Sequence, residues 1–172
     1  MSLLEQFAKG DLDAFETLFR QFQARVYAWI MRIVRDPGVA EDLTLETFWR
    51  IYRARERFDV QVDFGAWAYR IAINLALTHV RRRRTEEELP PDIPQALGPN
   101  PALRREEQEQ IRHAFDQLPT KLRIAVTMAL IDERPYSEIA QMLGIAQGTV
   151  KSRVFRAVRI LRKQLNQMGV TR

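Results

Sequence analysis

Residues 136–153 read YSEIAQMLGIAQGTVKSR, and this stretch decides the fold of the C-terminal part of the chain. Ile139 and Leu143 are four residues apart, so they lie on one face of a helix and point to a core. Gly144 can end that helix in the left-handed conformation at low cost, and the small Ala140 lets a second helix pass closely. This combination predicts a helix-turn-helix.

The second helix of the motif has two different faces. From Gln147 to Arg172 the chain carries seven basic residues and no acidic one. A helix with such a polycationic free face fits the major groove of duplex DNA, with its first residues at base edges and later ones at phosphates. The alternative is an ordinary solvated amphipathic helix. The residues predicted to form its buried stripe are Val150, Val154, Ala157, Val158, Leu161 and Leu165.

The position of each residue along this helix predicts whether it contacts a base edge or a phosphate. Arg153 and Arg156 suit either a base edge or a phosphate. The residues expected to reach base edges are Gln147, Thr149, Lys151 and Ser152.

A second informative stretch, residues 64–84, predicts one long helix. At 100° per residue its small apolar residues cluster on one side, and a mixed aromatic, cationic and amide stripe lines another. Arginines can hold a DNA backbone, aromatic rings can stack on unpaired bases and an amide can hydrogen-bond a base edge, so the stripe suits separated DNA strands. Burial of Trp67 in the core, and a merely charged helix end at the terminal arginines, are the alternatives. The stripe consists of Trp67, Arg70, Asn74, Thr78 and Arg81.

Just upstream, residues 55–63 predict a loop. It contains Phe58, Asp59 and Asp63, and it is a candidate to receive a base extruded from the duplex.

Apolar residues recur at helical spacing along most of the chain, which predicts an all-α fold. A helix is expected from Leu12 to Val34, a stop at Asp36-Pro37-Gly38, and a second helix from near Ala40. Beyond the centre of the chain, helical spacing resumes near Leu103 and breaks at Pro119, and a further helix is expected at 122–131.

Five prolines between residues 90 and 101 exclude a helix there and indicate a flexible acidic tether. The predicted organisation is a helical domain at 1–84, a Pro-rich linker at 85–101 and a second helical domain at 102–172. Formal charge follows the same division, with +3 for residues 1–84, −5 for 85–109 and +7 for 110–172. Two basic blocks around an acidic stretch suggest two surfaces that meet a polyanion, and a pair of solvated faces is the equal alternative on charge alone.

The residue inventory argues against an enzyme. The chain has no cysteine, its two histidines His79 and His113 are isolated, and no metal-ligand spacing or Gly-rich phosphate loop occurs. We expect no cofactor and no metal. The longest uncharged apolar run, Ile71 to Val80, is far below the roughly 20 residues of a membrane span. The N-terminus lacks the features of a signal peptide, so a cytoplasmic protein without membrane insertion is expected.

Both halves of the chain resemble the extracytoplasmic-function (ECF) sigma factors, the smallest members of the bacterial sigma-70 family. The motifs that resemble the family's region two are Ala14-Phe15, Ala40-Glu41-Asp42-Leu43, Glu46-Thr47-Phe48 and residues 67–74. Those that resemble region four are Leu118-Pro119, Glu138-Ile139-Ala140, Leu143-Gly144-Ile145 and residues 148–153 with Arg156-Ala157.

The resemblance implies a transcription initiation factor without catalytic chemistry of its own. Region two would bind the clamp helices of core RNA polymerase and melt the minus-ten element of promoter DNA, with residues 58–63 and Asn74 on the strand-separating surface. Region four would recognise the minus-thirty-five element as duplex and contact the polymerase flap. Family members are commonly held inactive by an anti-sigma factor. The residues implied to bind polymerase are Asp42, Leu43, Glu46, Phe48 and Trp49.

Three positions depart from the family pattern: Leu45 replaces the usual Gln, Thr78 a common Asp, and Pro135 a frequent Ser. The first two affect the details of polymerase contact and minus-ten sequence. A DNA-binding regulator that acts without polymerase is the competing hypothesis. It would leave the stripe from Trp67 and the apolar excess around Trp49, which indicates a protein partner, without a purpose.

Overall fold

The computed structural model describes residues 1–86 and 104–169. The described residues are helical, contain no strand and form two compact units, one on each side of the gap. The all-α prediction is confirmed. Of the predicted linker 85–101, the first two residues continue the preceding helix to Glu86, and residues 87–101 lie outside the described ranges.

The first unit contains four α-helices: α1 (Leu3–Ala8), α2 (Leu12–Val34), α3 (Pro37–Ala54) and α4 (Phe64–Glu86). A short 3₁₀ turn, Arg55–Arg57, follows α3. Helix α1 was not predicted, because six residues are too few for a periodic pattern. It begins with a capping box, in which the Ser2 N–H donates to Glu5 Oε2 (2.7 Å) and the Glu5 N–H donates to Ser2 Oγ (3.3 Å). The first of these bonds is the main cause that lowers the pKa of Glu5.

The predicted stop of the first long helix is confirmed, since α2 ends at Val34, but Asp36-Pro37-Gly38 also starts α3. Arg35 has a positive φ of 59° and ends α2, and Asp36 then caps α3 by accepting a hydrogen bond from the Val39 N–H (3.1 Å). Proline is favourable at the first helical position because its missing N–H would have no partner there. The start predicted near Ala40 was therefore three residues late.

The core of the first unit lies between α2, α3 and α4. Helix α1 closes one end of it, where the fully buried Phe7 lies 6.2, 6.1 and 5.7 Å from the ring centroids of Phe15, Phe58 and Phe64. We call these four residues the aromatic cluster. It connects the N-terminal helix to the loop that precedes α4. The other fully buried large side chains of this unit are Leu18, Val26, Ile30, Ile33, Ile51, Tyr69 and Ile73.

The second unit contains α5 (Arg104–Asp116), α6 (Thr120–Val126), α7 (Tyr136–Leu143) and α8 (Gln147–Gln167). The helix predicted at 122–131 is observed as two parts: the end of α6, and a single π-helical turn, Thr127–Ile131, that follows it. Its ring is closed by the Asp132 N–H, which donates to the Thr127 carbonyl (2.9 Å). The core cluster of this unit consists of Ala114, Leu118, Val126, Ala157 and Leu161.

The helix-turn-helix forms as predicted. Gly144 ends α7 with φ of 65°, and the Ile145 N–H donates to the Ala140 carbonyl (3.1 Å). Ile139 and Val150 are fully buried where the two helices pack. The buried stripe of α8 was predicted slightly too wide, since Val158 and Leu165 near its edge are only half-buried.

Candidate nucleic-acid and polymerase interfaces

Helix α4 exposes four residues of the predicted stripe: Arg70, Asn74, Thr78 and Arg81. We call these four, with Trp67, the strand surface. The opposite side of α4 is buried against α2 and α3, so the helix cannot rotate to hide this stripe. The Thr78 hydroxyl donates to the Asn74 carbonyl (2.7 Å) and is therefore turned back to the helix, whereas the Asn74 side chain points to solvent.

Trp67 is half-buried, between the two alternatives that the sequence left open. Its ring centroid lies 4.7 Å from that of Phe58 and 6.0 Å from that of Phe64. The aromatic cluster thus supports the indole from below, while part of the ring reaches the strand surface. A ring held in this way can stack on a base with little loss of side-chain entropy.

The loop residues Phe58, Asp59 and Asp63 differ in placement. Phe58 is only 7% exposed and belongs to the aromatic cluster, so in this conformation it supports Trp67 and does not face solvent. Asp63 is exposed and caps α4, since its Oδ1 accepts a hydrogen bond from the Ala66 N–H (2.7 Å). Asp59 Oδ1 accepts from the Gln61 N–H (2.9 Å) and shapes the loop. An aspartate just before the helical pattern is the sequence signal from which this cap could have been predicted.

Helix α3 presents an apolar pair to solvent. Leu45 is 62% exposed and Trp49 is 55% exposed, and they lie one helical turn apart. Asp42 is exposed beside them, and Glu46 is half-buried and accepts a hydrogen bond from Arg50 Nε (2.8 Å). We call Asp42, Leu45, Glu46 and Trp49 the α3 patch.

The other two residues implied to bind polymerase are wholly or partly buried. Phe48 is buried, with its ring 4.7 Å from Phe19 and 6.4 Å from Phe15, and Leu43 is half-buried. The sequence places Leu45 in the apolar excess around Trp49 and among the departures from the family pattern, but not among the implied polymerase contacts. Its spacing of four residues from Trp49 was the signal that could have placed it on the patch.

On α8 the predicted DNA contacts are exposed except Arg153, which is half-buried. Four of them, Thr149, Ser152, Arg153 and Arg156, line a shallow groove beside the start of α6. At 100° per residue, Gln147 and Lys151 lie on the other side of the exposed face. We call this region the α8 groove, and its remaining lining residues are Gly148, Pro119, Lys121 and Leu122.

Lys121 was not predicted as part of this surface. It belongs to α6, whose sequence has no motif of its own, and only the packing of α6 on α8 brings this residue to the groove. Together with Arg153 and Arg156 it makes the groove cationic.

Within 1–86 and 104–169, no cluster of three His, Asp or Glu side chains is suitable for a metal ion. In the same ranges, no helix is long and apolar enough to cross a bilayer.

Comparison with known proteins finds matches to both parts of the chain. Two family models match the chain: Sigma-70 region 2 over residues 18–86, and Sigma-70, region 4 over residues 108–161. The first match contains the α3 patch and the strand surface, and the second contains the α8 groove residues.

The relatives match over nearly the whole chain. The ECF RNA polymerase sigma factor SigW of Bacillus subtilis is 31% identical over 96% of both chains. The RNA polymerase sigma-H factor of Pseudomonas aeruginosa is 33% identical over 96% of this chain and 93% of its own. The sigma factor RpoE of Bartonella quintana, solved in complex with the anti-sigma factor NepR, has the same fold, with a TM-score of 0.71 at 23% identity, over 88% of this chain and 96% of its own. From its two matched regions and these full-length relatives, the chain belongs to the ECF sigma factors of the bacterial sigma-70 family.

Proposed function

We propose that this chain binds core RNA polymerase and directs it to promoters, with the first unit separating and holding DNA strands and the second holding duplex. The observation that carries the proposal is the presence of two different nucleic-acid surfaces in one chain. The strand surface on α4 combines an accessible indole, an amide and arginines, whereas the α8 groove is cationic and lies on the second helix of a helix-turn-helix.

In the first unit, the residues divide the work by chemistry. Arg70 and Arg81 are placed to hold the sugar-phosphate backbone, Trp67 to stack on an unpaired base, and Asn74 to hydrogen-bond a base edge. Asp63 and Phe58 act indirectly: Asp63 fixes the start of α4, and Phe58 fixes the position of the indole. Residues 1–84 would thus form the domain that recognises the minus-ten element.

In the second unit, α8 would enter the major groove of the minus-thirty-five element. Thr149 and Ser152 lie near the N-terminus of α8 and suit base edges, while Arg153, Arg156 and Lys121 suit phosphates. Gln147 and Lys151, on the other side of the exposed face, would reach the opposite wall of the DNA groove. Residues 102–172 would form this domain, connected to the first by the linker at 85–101.

The α3 patch is the proposed contact with the clamp helices of the polymerase. Leu45 and Trp49 are large apolar side chains held on a rigid helix, and Asp42 and Glu46 flank them with negative charge. A central aromatic anchor with charged neighbours is typical of the residues that dominate binding energy in protein interfaces. The flap of the polymerase would contact the second unit.

Regulation and location follow from the same assignment. We propose control by an anti-sigma factor, supported by the solved relative of the same fold that is bound to one. The polymerase and the chromosome are its working partners, which places the chain in the cytoplasm without membrane insertion. The chain needs no cofactor and is not an enzyme, because it lends binding surfaces to the catalytic machine.

Reconstitution with core RNA polymerase tests the proposal. The full chain should comigrate with core enzyme in gel filtration, and the resulting holoenzyme should give discrete run-off transcripts from a genomic DNA library. The chain alone should bind duplex DNA weakly. Specific footprinting by the chain alone, together with failure to bind core enzyme, would replace this function with that of an independent DNA-binding regulator.

A further inference from the structure

Arg25 on α2 has an unusual environment for an exposed arginine. Its Cζ lies 5.2 Å from the ring centroid of Phe22 and 5.4 Å from that of Trp29. Within the described ranges it has no ion-pair partner, whereas Arg20 on the same helix pairs with Glu16. The guanidinium is therefore held by two aromatic rings while its N–H donors stay available to an external acceptor.

The two rings join Arg25 to the first half of α4. Phe22 lies 5.0 Å from Phe64, and Trp29 lies 5.0 Å from Tyr69, measured between ring centroids. Both α4 residues are buried, so the rings cannot shift without disturbing the packing of α2 on α4. Arg25 therefore occupies a fixed position where α2 borders α4.

This position is at the margin of the strand surface. A series of ring contacts connects it to that surface: Phe22, which Arg25 covers, packs on Phe64, and the ring centroid of Phe64 lies 6.0 Å from that of Trp67. Arg25 thus adds a positive charge on α2, on the side where α2 packs against the aromatic residues that support Trp67. A guanidinium matches the geometry of a phosphate and loses little side-chain entropy when rings already restrict it.

We infer that Arg25 is a further DNA-binding residue, which contacts a backbone phosphate of the strand held by α4. The inference rests on the strand-holding function proposed for the first unit. It widens the surface from one helix to two, so that the strand would pass across the α2–α4 boundary as well as along α4.

The salt dependence of binding distinguishes a phosphate contact from a structural role. Each phosphate neutralised on single-stranded DNA contributes about 0.7 to the slope of log affinity against log salt. The probe is a fork-junction DNA with an unpaired minus-ten segment, taken from a promoter recovered by run-off transcription, and it is titrated with holoenzyme between about 50 and 200 mM salt. Arg25→Ala should weaken binding and make the slope shallower by about 0.7, and Arg25→Lys should restore most of that slope.

Two controls complete the experiment. Arg20→Ala removes another exposed arginine of α2, which is paired with Glu16, and it should leave the slope unchanged. Asn74→Ala should weaken binding without a change of slope, since an amide neutralises no phosphate. An unchanged slope in Arg25→Ala, or a loss of core-polymerase affinity in its place, would overturn the inference. Failure of the unaltered holoenzyme to bind the fork would instead refute the proposed function itself.

Discussion

Phe58 and Trp67 lie with their ring centroids 4.7 Å apart and their planes tilted by 35°. Phe58 closes the 3₁₀ turn after α3, and Trp67 is in the first turn of α4, so this contact ties the loop to the strand surface. Phe7 packs beneath Phe58, at 6.1 Å. Helix α1 lies outside the matched region 2, yet its single buried residue completes the support of the indole.

We therefore expect Phe7→Ala to destabilise the first unit strongly. Removing a fully buried phenylalanine from a packed core costs about 3 to 5 kcal/mol of unfolding free energy. Urea unfolding followed by tryptophan fluorescence measures this loss. Leu12→Ala, at a position 65% exposed in the same unit, is the control and should change stability by no more than about 0.5 kcal/mol. Equal effects of the two variants would mean that α1 does not support the core.

Two glycines of the second unit should respond with opposite sign to the same substitution. Gly144 has φ of 65°, so Gly144→Ala should cost about 1 to 2 kcal/mol from backbone strain alone, because no atom crowds an added Cβ. Gly148 is in the first turn of α8 and is equally uncrowded, so Gly148→Ala should stabilise by up to about 1 kcal/mol. Thermal unfolding of the two variants measures both. A loss of stability in both would show that space, and not backbone conformation, decides the effect.

Features of the fold and the site that depend on neighbouring residues could be predicted from the sequence, whereas those that depend on contacts between different helices could not. The course of α2, the long α4 and the turn at Gly144 followed from local spacing and backbone chemistry. The burial of Phe48 and Phe58 did not, because both depend on aromatic residues that the chain brings in from other helices. The contribution of Lys121 to the α8 groove depends in the same way on the packing of α6 against α8.

The α3 patch predicts a separation between affinity and stability. Trp49→Ala should lower the affinity for core polymerase by at least about 2 kcal/mol, as expected for an aromatic hot spot, with little change in unfolding free energy. Phe48→Ala, one residue away but buried, should mainly reduce stability. Leu12→Ala removes another exposed apolar side chain, outside the patch, and should affect neither. Competition binding to core enzyme and urea unfolding give the two quantities, and an unaffected affinity in Trp49→Ala would exclude the patch as the main polymerase contact.

Substitutions in the strand surface and in the α8 groove should impair different stages of transcription initiation. Asn74→Ala removes an exposed amide from the strand surface, so the holoenzyme should still bind closed duplex promoter but open it poorly, with a loss of about 1 to 3 kcal/mol at the base contact. Arg156→Ala removes a cation from the α8 groove, so closed-complex affinity should fall while bound complexes still open. Filter binding measures the first stage, and permanganate reactivity near the start site measures the second. Both variants keep the α3 patch, so neither should lose its affinity for core polymerase. A defect of both at the same stage would mean that the two units do not bind different parts of the promoter. An unchanged open complex in Asn74→Ala would show that Asn74 does not contact the separated strand.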